Sequence, residues 1–257
     1  MARELAERGH SIVVMGRNHE KLAKTKASLL AEPNVGDVET VCCDLSDVSA
    51  ANIAHLEASL APDTRDIGIL INNACVSPPY GGAFANHDAA DFQVAINIGV
   101  IMYVQLTRMV LPGMLKRSRG LIVNVSSCLG RQPTPFMGIY PVVKRFVNAF
   151  SEQLSLEFAG KPIDVINLNT GATRTKLYAN SATRLPPLTY ASPEDYAKTA
   201  INAFETRPKE LVGSIKQVPG VYIPFLAHRL CLARLFSKLM LDYCGKESPD
   251  SFSKKCL

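Results

Sequence analysis

The feature that most limits what this chain can fold into is an alternation. Short apolar runs at 11–15, 38–43, 67–72, 120–126 and 163–168 are separated by stretches of helical character: about 18–31, a second up to 60, 88–115 and 140–158. Runs without a polar face suit strands buried on both sides, and these spacings suit right-handed parallel crossovers. The expected fold class is α/β: a Rossmann-type doubly wound parallel sheet in three αβα layers. Such sheets bind ligands beyond the carboxyl ends of their strands. The polar residues Arg17, Asp44, Asn72, Ser127 and Thr170 all fall at those ends. The spacing predicts a helix over 88–115 that closes near Pro112-Gly113, and Asn18 is the residue expected to open the helix to about Ala31.

Composition narrows the class. A chain of 257 residues with 47% hydrophobic and 20% charged residues builds one large domain rather than a disordered segment. The expected division is a dehydrogenase-like domain over 1–220 and a basic apolar tail over 221–257. Seven cysteines occur without a C-x-x-C pair, which reads as reduced thiols and no metal site. Residues 207–257 hold nine Lys/Arg against four Asp/Glu, and this accounts for the whole net charge of +5. That excess is too small for a nucleic-acid footprint but suits anionic lipid. The segment 225–241 is rich in Leu and Phe and carries Arg229, Arg234 and Lys238. Charges so placed oppose a spanning helix and suit one lying in a membrane interface; the alternative is a helix covering a cleft or a dimer partner. No signal peptide is visible.

Tyr140-Pro141-Val142-Val143-Lys144 places a phenol and an ammonium four residues apart on one helical face. The ammonium can lower the phenol's pKa and so assist proton transfer. With Asn72-Asn73-Ala74, Ile96-Asn97-Ile98 and Asn124-Val125-Ser126-Ser127, this string resembles the short-chain dehydrogenase/reductase family over about residues 2 to 215. The resemblance implies that Tyr140 is the general acid/base, that Ser127, thirteen residues earlier, orients the substrate carbonyl, that Lys144 binds the nicotinamide ribose, and that Asn97 holds a proton-relaying water. A closer similarity is to the microsomal branch of 17β-hydroxysteroid dehydrogenases, very-long-chain 3-oxoacyl-CoA reductases and hydroxysteroid dehydrogenase-like proteins, carried by 110–120, by 131–135 and by 172–177. Lipophilic ketones are the substrates so implied, and a homodimer is the implied assembly.

The resemblance also implies a cofactor site. Arg17, with no acid at the end of its strand, favours NADP(H) over NAD(H) because a guanidinium pairs well with a 2′-phosphate. Asp44 and Leu45 match adenine contacts, although an aspartate here also suits a turn or helix cap. Asn72, Asn73, Ala74, Thr170, Gly171, Thr173 and Thr175 complete the implied set with Tyr140 and Lys144. Residues 2–9 read as the last turns of a helix closed by Gly9, so the family's first strand and Gly-rich phosphate turn are expected to be missing. Cys75 stands where a glycine is usual, Pro141 where a small polar residue is usual, and Thr170-Gly171 where Pro-Gly is usual. Two readings therefore compete: an NADP(H)-dependent oxidoreductase, and an inactive member that binds lipid or a partner protein. Lys254-Lys255-Cys256-Leu257 resembles a dilysine retrieval signal, which points to the cytosolic face of the endoplasmic reticulum membrane; a cytoplasmic location is the alternative.

Overall fold

A computed structural model describes residues 1–76, 84–131, 133–134, 137–171, 173–175, 191–206 and 210–212. The segment 225–241 and the terminal lysines lie outside them. The elements run α1 (Ala2–Glu7), β1 (Ile12–Gly16), α2 (His19–Leu30), β2 (Val38–Cys42), α3 (Ala50–Leu60), β3 (Ile69–Asn72), α4 (Ala89–Ile96), a π-helical turn (Asn97–Ile101), α5 (Met102–Lys116), β4 (Gly120–Ser127), a 3-10 turn (Cys128–Arg131), α6 (Tyr140–Glu157), β5 (Ile163–Thr170), α7 (Pro193–Thr206) and β6 (Glu210–Val212). Among the described residues every strand pairing is parallel: β1 with β2, and the ladder β3-β4-β5-β6.

Among the described residues β1 and β3 do not pair. They are joined by apolar packing, with Ile69 and Ile71 of β3 lying against a cluster of Leu5, Ala6, Ile12, Leu29, Val38 and Ile201. The four-stranded ladder shows why the apolar runs lack a polar face. All eight residues of β4 are buried. Leu121, Val123 and Val125 point to α7, where they meet Tyr196 and Ala200. Ile122 points to the other side and packs with Met102, Leu106 and Met109 of α5. A sheet with helices on both faces is the three-layer arrangement expected.

Local chemistry sets the boundaries. Asn18 caps α2, its side-chain oxygen accepting from the Lys21 amide at 2.8 Å. Gly9 has φ +85°, a left-handed value that glycine adopts without strain, and it follows α1. The expected helix end, at 115 near Pro112-Gly113, is met to within a residue: α5 passes through Pro112 to Lys116 and ends where Ser118 takes a left-handed φ of 49°. Gly113 serves close packing, since a Cβ there would lie 3.3 Å from Pro62. The stretch 88–115, read as one helix, is interrupted by the π turn at Asn97. Sequence reading also missed α7, although Ser192 caps it by accepting from the Asp195 amide at 3.0 Å and Pro193 opens it. Ala89–Lys116 is long and apolar enough to cross a membrane, yet 56% of its most apolar window is buried inside the fold, as in a core helix.

Candidate active site

The site lies at the carboxyl ends of β1 to β5. Tyr140 is the first residue of α6 and is 7% exposed, while Lys144, one turn on, is 3% exposed. Pro141 occupies the first turn, where its missing N–H costs no helical hydrogen bond. The Lys144 ammonium is 5.7 Å from the Tyr140 ring centroid and donates to the Val125 carbonyl at 2.7 Å. Burial holds this ammonium below the usual lysine range, and the neighbouring Cys75 thiol opposes that shift through charge and a hydrogen bond. Cys75 thus places its side chain against Lys144 where a glycine would place none.

Ser127 ends β4, buried, and stands in register with Thr170 of β5. Its hydroxyl accepts from the Leu129 amide at 3.3 Å, which turns the chain into the 3-10 segment. Thr170 Oγ1 donates to the Ser126 carbonyl at 2.8 Å, and Gly171 follows half-buried. Asn97 opens the π turn, a feature often associated with function. Its Nδ2 donates to the Ser46 carbonyl and its Oδ1 accepts from Gln93, both at 2.7 Å. Asn97 is thereby tied to the loop carrying Asp44 and Leu45.

The residues implied at the adenosine end are spread along the same edge. Arg17 is exposed and makes a loose 3.8 Å ion pair with Asp44. Asp44 accepts from the Ser46 amide at 2.8 Å and the Ser46 hydroxyl at 2.7 Å, a turn role, and these bonds hold its carboxyl below the usual range. Leu45 packs on the core. Asn73 is exposed; the Ala74 carbonyl accepts from the Tyr103 hydroxyl at 3.2 Å. Thr173 bridges to Ala191 and bonds the Gly171 carbonyl at 3.2 Å, with Thr175 exposed beyond it.

Asn72 is placed differently. Its side chain is 2% exposed and points under α5, donating to Asn124 Oδ1 at 2.9 Å and Thr107 Oγ1 at 3.3 Å. Asn124 in turn donates to Ser151 Oγ at 3.0 Å. Asn72, Asn124 and Asn167 are register partners, so they form a polar row across three strands beneath the site. Asn124, Ser151, Thr107 and Tyr103 were missed from sequence. Their roles depend on cross-strand register, and only the asparagines at strand centres signalled it.

A nicotinamide dinucleotide fits this donor set in two places. The exposed Arg17 guanidinium suits an anionic group at one end, and Lys144 with Tyr140 and Ser127 suits hydroxyl and carbonyl oxygens at the other. Comparison with known proteins agrees. Residues 1–185 match the family described as short chain dehydrogenase. The chain is 32% identical over 242 residues to very-long-chain 3-oxoacyl-CoA reductase-B of Danio rerio, covering 93% of this chain and 74% of that one. It is 33% identical over 238 residues to very-long-chain 3-oxoacyl-CoA reductase of Rattus norvegicus, covering 87% and 72%. Among solved structures, a short-chain dehydrogenase from Sphingobium yanoikuyae in complex with NADPH superposes with TM-score 0.74 at 28% identity, covering 98% of this chain and 93% of that one. The chain belongs to the short-chain dehydrogenase/reductase family of oxidoreductases, in the branch of the very-long-chain 3-oxoacyl-CoA reductases.

Proposed function

We propose that the chain is an NADP(H)-dependent reductase of a lipophilic ketone, foremost a long-chain 3-oxoacyl thioester, with a steroid ketone as the second substrate class. The observation that carries this reading is the buried Tyr140–Lys144 pair beside the end of β4, in a chain one-third identical to 3-oxoacyl-CoA reductases. A nicotinamide dinucleotide, held by Arg17 and Lys144, would supply the hydride when bound. Ser127 holds the carbonyl oxygen, and Tyr140 donates a proton to that oxygen as negative charge develops on it. The Lys144 ammonium stabilises the phenolate that remains and would bond the ribose of a bound dinucleotide, while Asn97 retains the water that returns the proton. Arg17 selects the 2′-phosphate, in a site without an acid at the end of β1. Cys75, whose side chain stands against Lys144 where a glycine is usual, is on the side of the inactive alternative, but the buried Tyr140–Lys144 pair and the one-third identity to reductases favour the enzyme.

The proposed assembly is a homodimer through the π turn, α5 and α6, which expose Ile101, Val104, Val142 and Leu156. The proposed location is the cytosolic face of the endoplasmic reticulum membrane, on the strength of the basic, apolar sequence of 225–241 and the dilysine-like Lys254-Lys255. Calorimetry with NADPH and NADH, followed by turnover of a long-chain 3-oxoacyl-CoA, tests the reading. Preferred NADPH binding with turnover supports it; binding of neither dinucleotide refutes it.

A further inference from the structure

The helix bearing Tyr140 and Lys144 is attached to the sheet at the main chain of Lys144 itself. The Ser126 hydroxyl, fully buried, donates to the Lys144 carbonyl at 2.9 Å. That carbonyl lies within a helix, so the bond uses its second lone pair. Beside it, the 3-10 turn presses its backbone onto α6. A Cβ on Gly130 would stand 2.6 Å from the Lys144 carbonyl carbon, 2.7 Å from its oxygen and 2.8 Å from the Arg145 nitrogen. Side chains do not tolerate such approaches to backbone, so only glycine fits at this distance. The other end of the same lysine is referenced to the preceding residue of the same strand, because its ammonium donates to the Val125 carbonyl. A second strand, β5, joins through the bond from Thr170 Oγ1 to the Ser126 carbonyl. Main chain and ammonium of Lys144 are thus both fixed to consecutive residues of β4.

We infer that Ser126 and Gly130 are positioning residues that set where the Lys144 ammonium stands above the end of β4. The inference rests on the proposed role of Lys144 for its functional meaning, but its geometry does not. Removing the Ser126 hydroxyl frees the first turns of α6 to ride away from the strand. Gly130→Ala pushes them away directly. Either change lets the ammonium leave its buried station and meet water. The titratable groups that face it are the Cys75 thiol from the end of β3 and the Tyr140 phenol from its own helix; both are retained in these variants.

The test is the pH titration of Lys144 in the full-length protein carrying 13C-labelled lysine, assigned by its loss in Lys144→Arg. Wild type is expected to titrate below the ordinary lysine value of about 10.4. Ser126→Ala and Gly130→Ala are expected to move the midpoint upward by at least about half a unit, towards that value. Asn124→Ala is the control: it breaks a buried bond on the same face without touching Lys144, so it lowers the melting temperature and leaves the midpoint in place. An unmoved midpoint in Ser126→Ala, or an equal movement in Asn124→Ala, overturns the inference. If Gly130→Ala does not fold, the Ser126 and Asn124 variants decide alone. Turnover of NADPH with a 3-oxoacyl-CoA on the same samples separates the two claims. A shifted midpoint with no wild-type turnover sinks the reductase reading and leaves the positioning intact; turnover with an unshifted midpoint does the reverse.

Discussion

The row of asparagines beneath the site makes a double-mutant cycle informative. In Asn124→Ala, the Asn72 amide loses its 2.9 Å acceptor and keeps only Thr107 at 3.3 Å. Ser151 loses a donor to its oxygen, but its own proton still reaches the Val147 carbonyl at 2.7 Å. The main cost is therefore one buried N–H without an acceptor, about 1–3 kcal/mol, together with the space left by the carboxamide. A total of about 3 kcal/mol lowers the melting temperature of a chain this long by about 6–12 °C. Asn72→Ala leaves the opposite orphan, the Asn124 carbonyl oxygen. The double variant removes donor and acceptor together and so avoids part of both penalties. A coupling of about 1–2 kcal/mol is expected from urea unfolding of the four proteins. Additivity within about 0.3–0.5 kcal/mol refutes the bond as the source of the loss.

Other outcomes follow from single residues. Arg17→Glu is expected to weaken NADPH about tenfold or more, the worth of a charge-assisted bond, and NADH much less; equal losses by calorimetry contradict the phosphate assignment. Burial, helped by the neighbouring Cys42, pushes the Cys43 thiol up to about 11. Its contribution to stability is full below the unfolded thiol value of about 8.5 and is lost as pH rises through about 11. Iodoacetamide at mildly alkaline pH is therefore expected to label the half-buried Cys75 before Cys43, by peptide mass, and the reverse order refutes this. The Ser46 bonds that depress Asp44 stabilise the fold above the unfolded carboxylate value of about 3.9. The stability gap between wild type and Ser46→Ala should close as pH falls below that; a gap that persists in acid is the contrary result.

Much of the fold was legible because parallel strands buried on both faces leave unbroken apolar runs. The strands β1 to β5 appear where those runs are, and Asn18 caps its helix as its chemistry requires. Helix ends were less legible where packing overrode local signals. Pro112 in a late turn did not stop α5, and Gly113 answered to Pro62 rather than to a cap. The π turn at Asn97 and the capped start of α7 were overlooked. The Tyr140–Lys144 pair and Ser127 could be named from spacing because helix and strand periodicity fix which residues meet. The resemblance turns Asn72 towards the cofactor, but its side chain serves the sheet, and its partners Asn124 and Thr107 meet it only through tertiary register. Ser126 and Gly130 are likewise hidden, because nothing local marks contact with a helix that starts at Tyr140, well downstream of both.

The most direct test of the central claim is the oxidation of NADPH by wild type and by Tyr140→Phe with a long-chain 3-oxoacyl-CoA, with NADPH affinity measured on both. Turnover by wild type is expected, with a loss of about 100- to 10,000-fold in the variant, the usual weight of a general acid. Affinity for NADPH should be nearly unchanged, since the phenol hydroxyl acts on the substrate oxygen. Equal turnover in the two proteins, or none in a wild type that binds NADPH, would contradict the assigned chemistry.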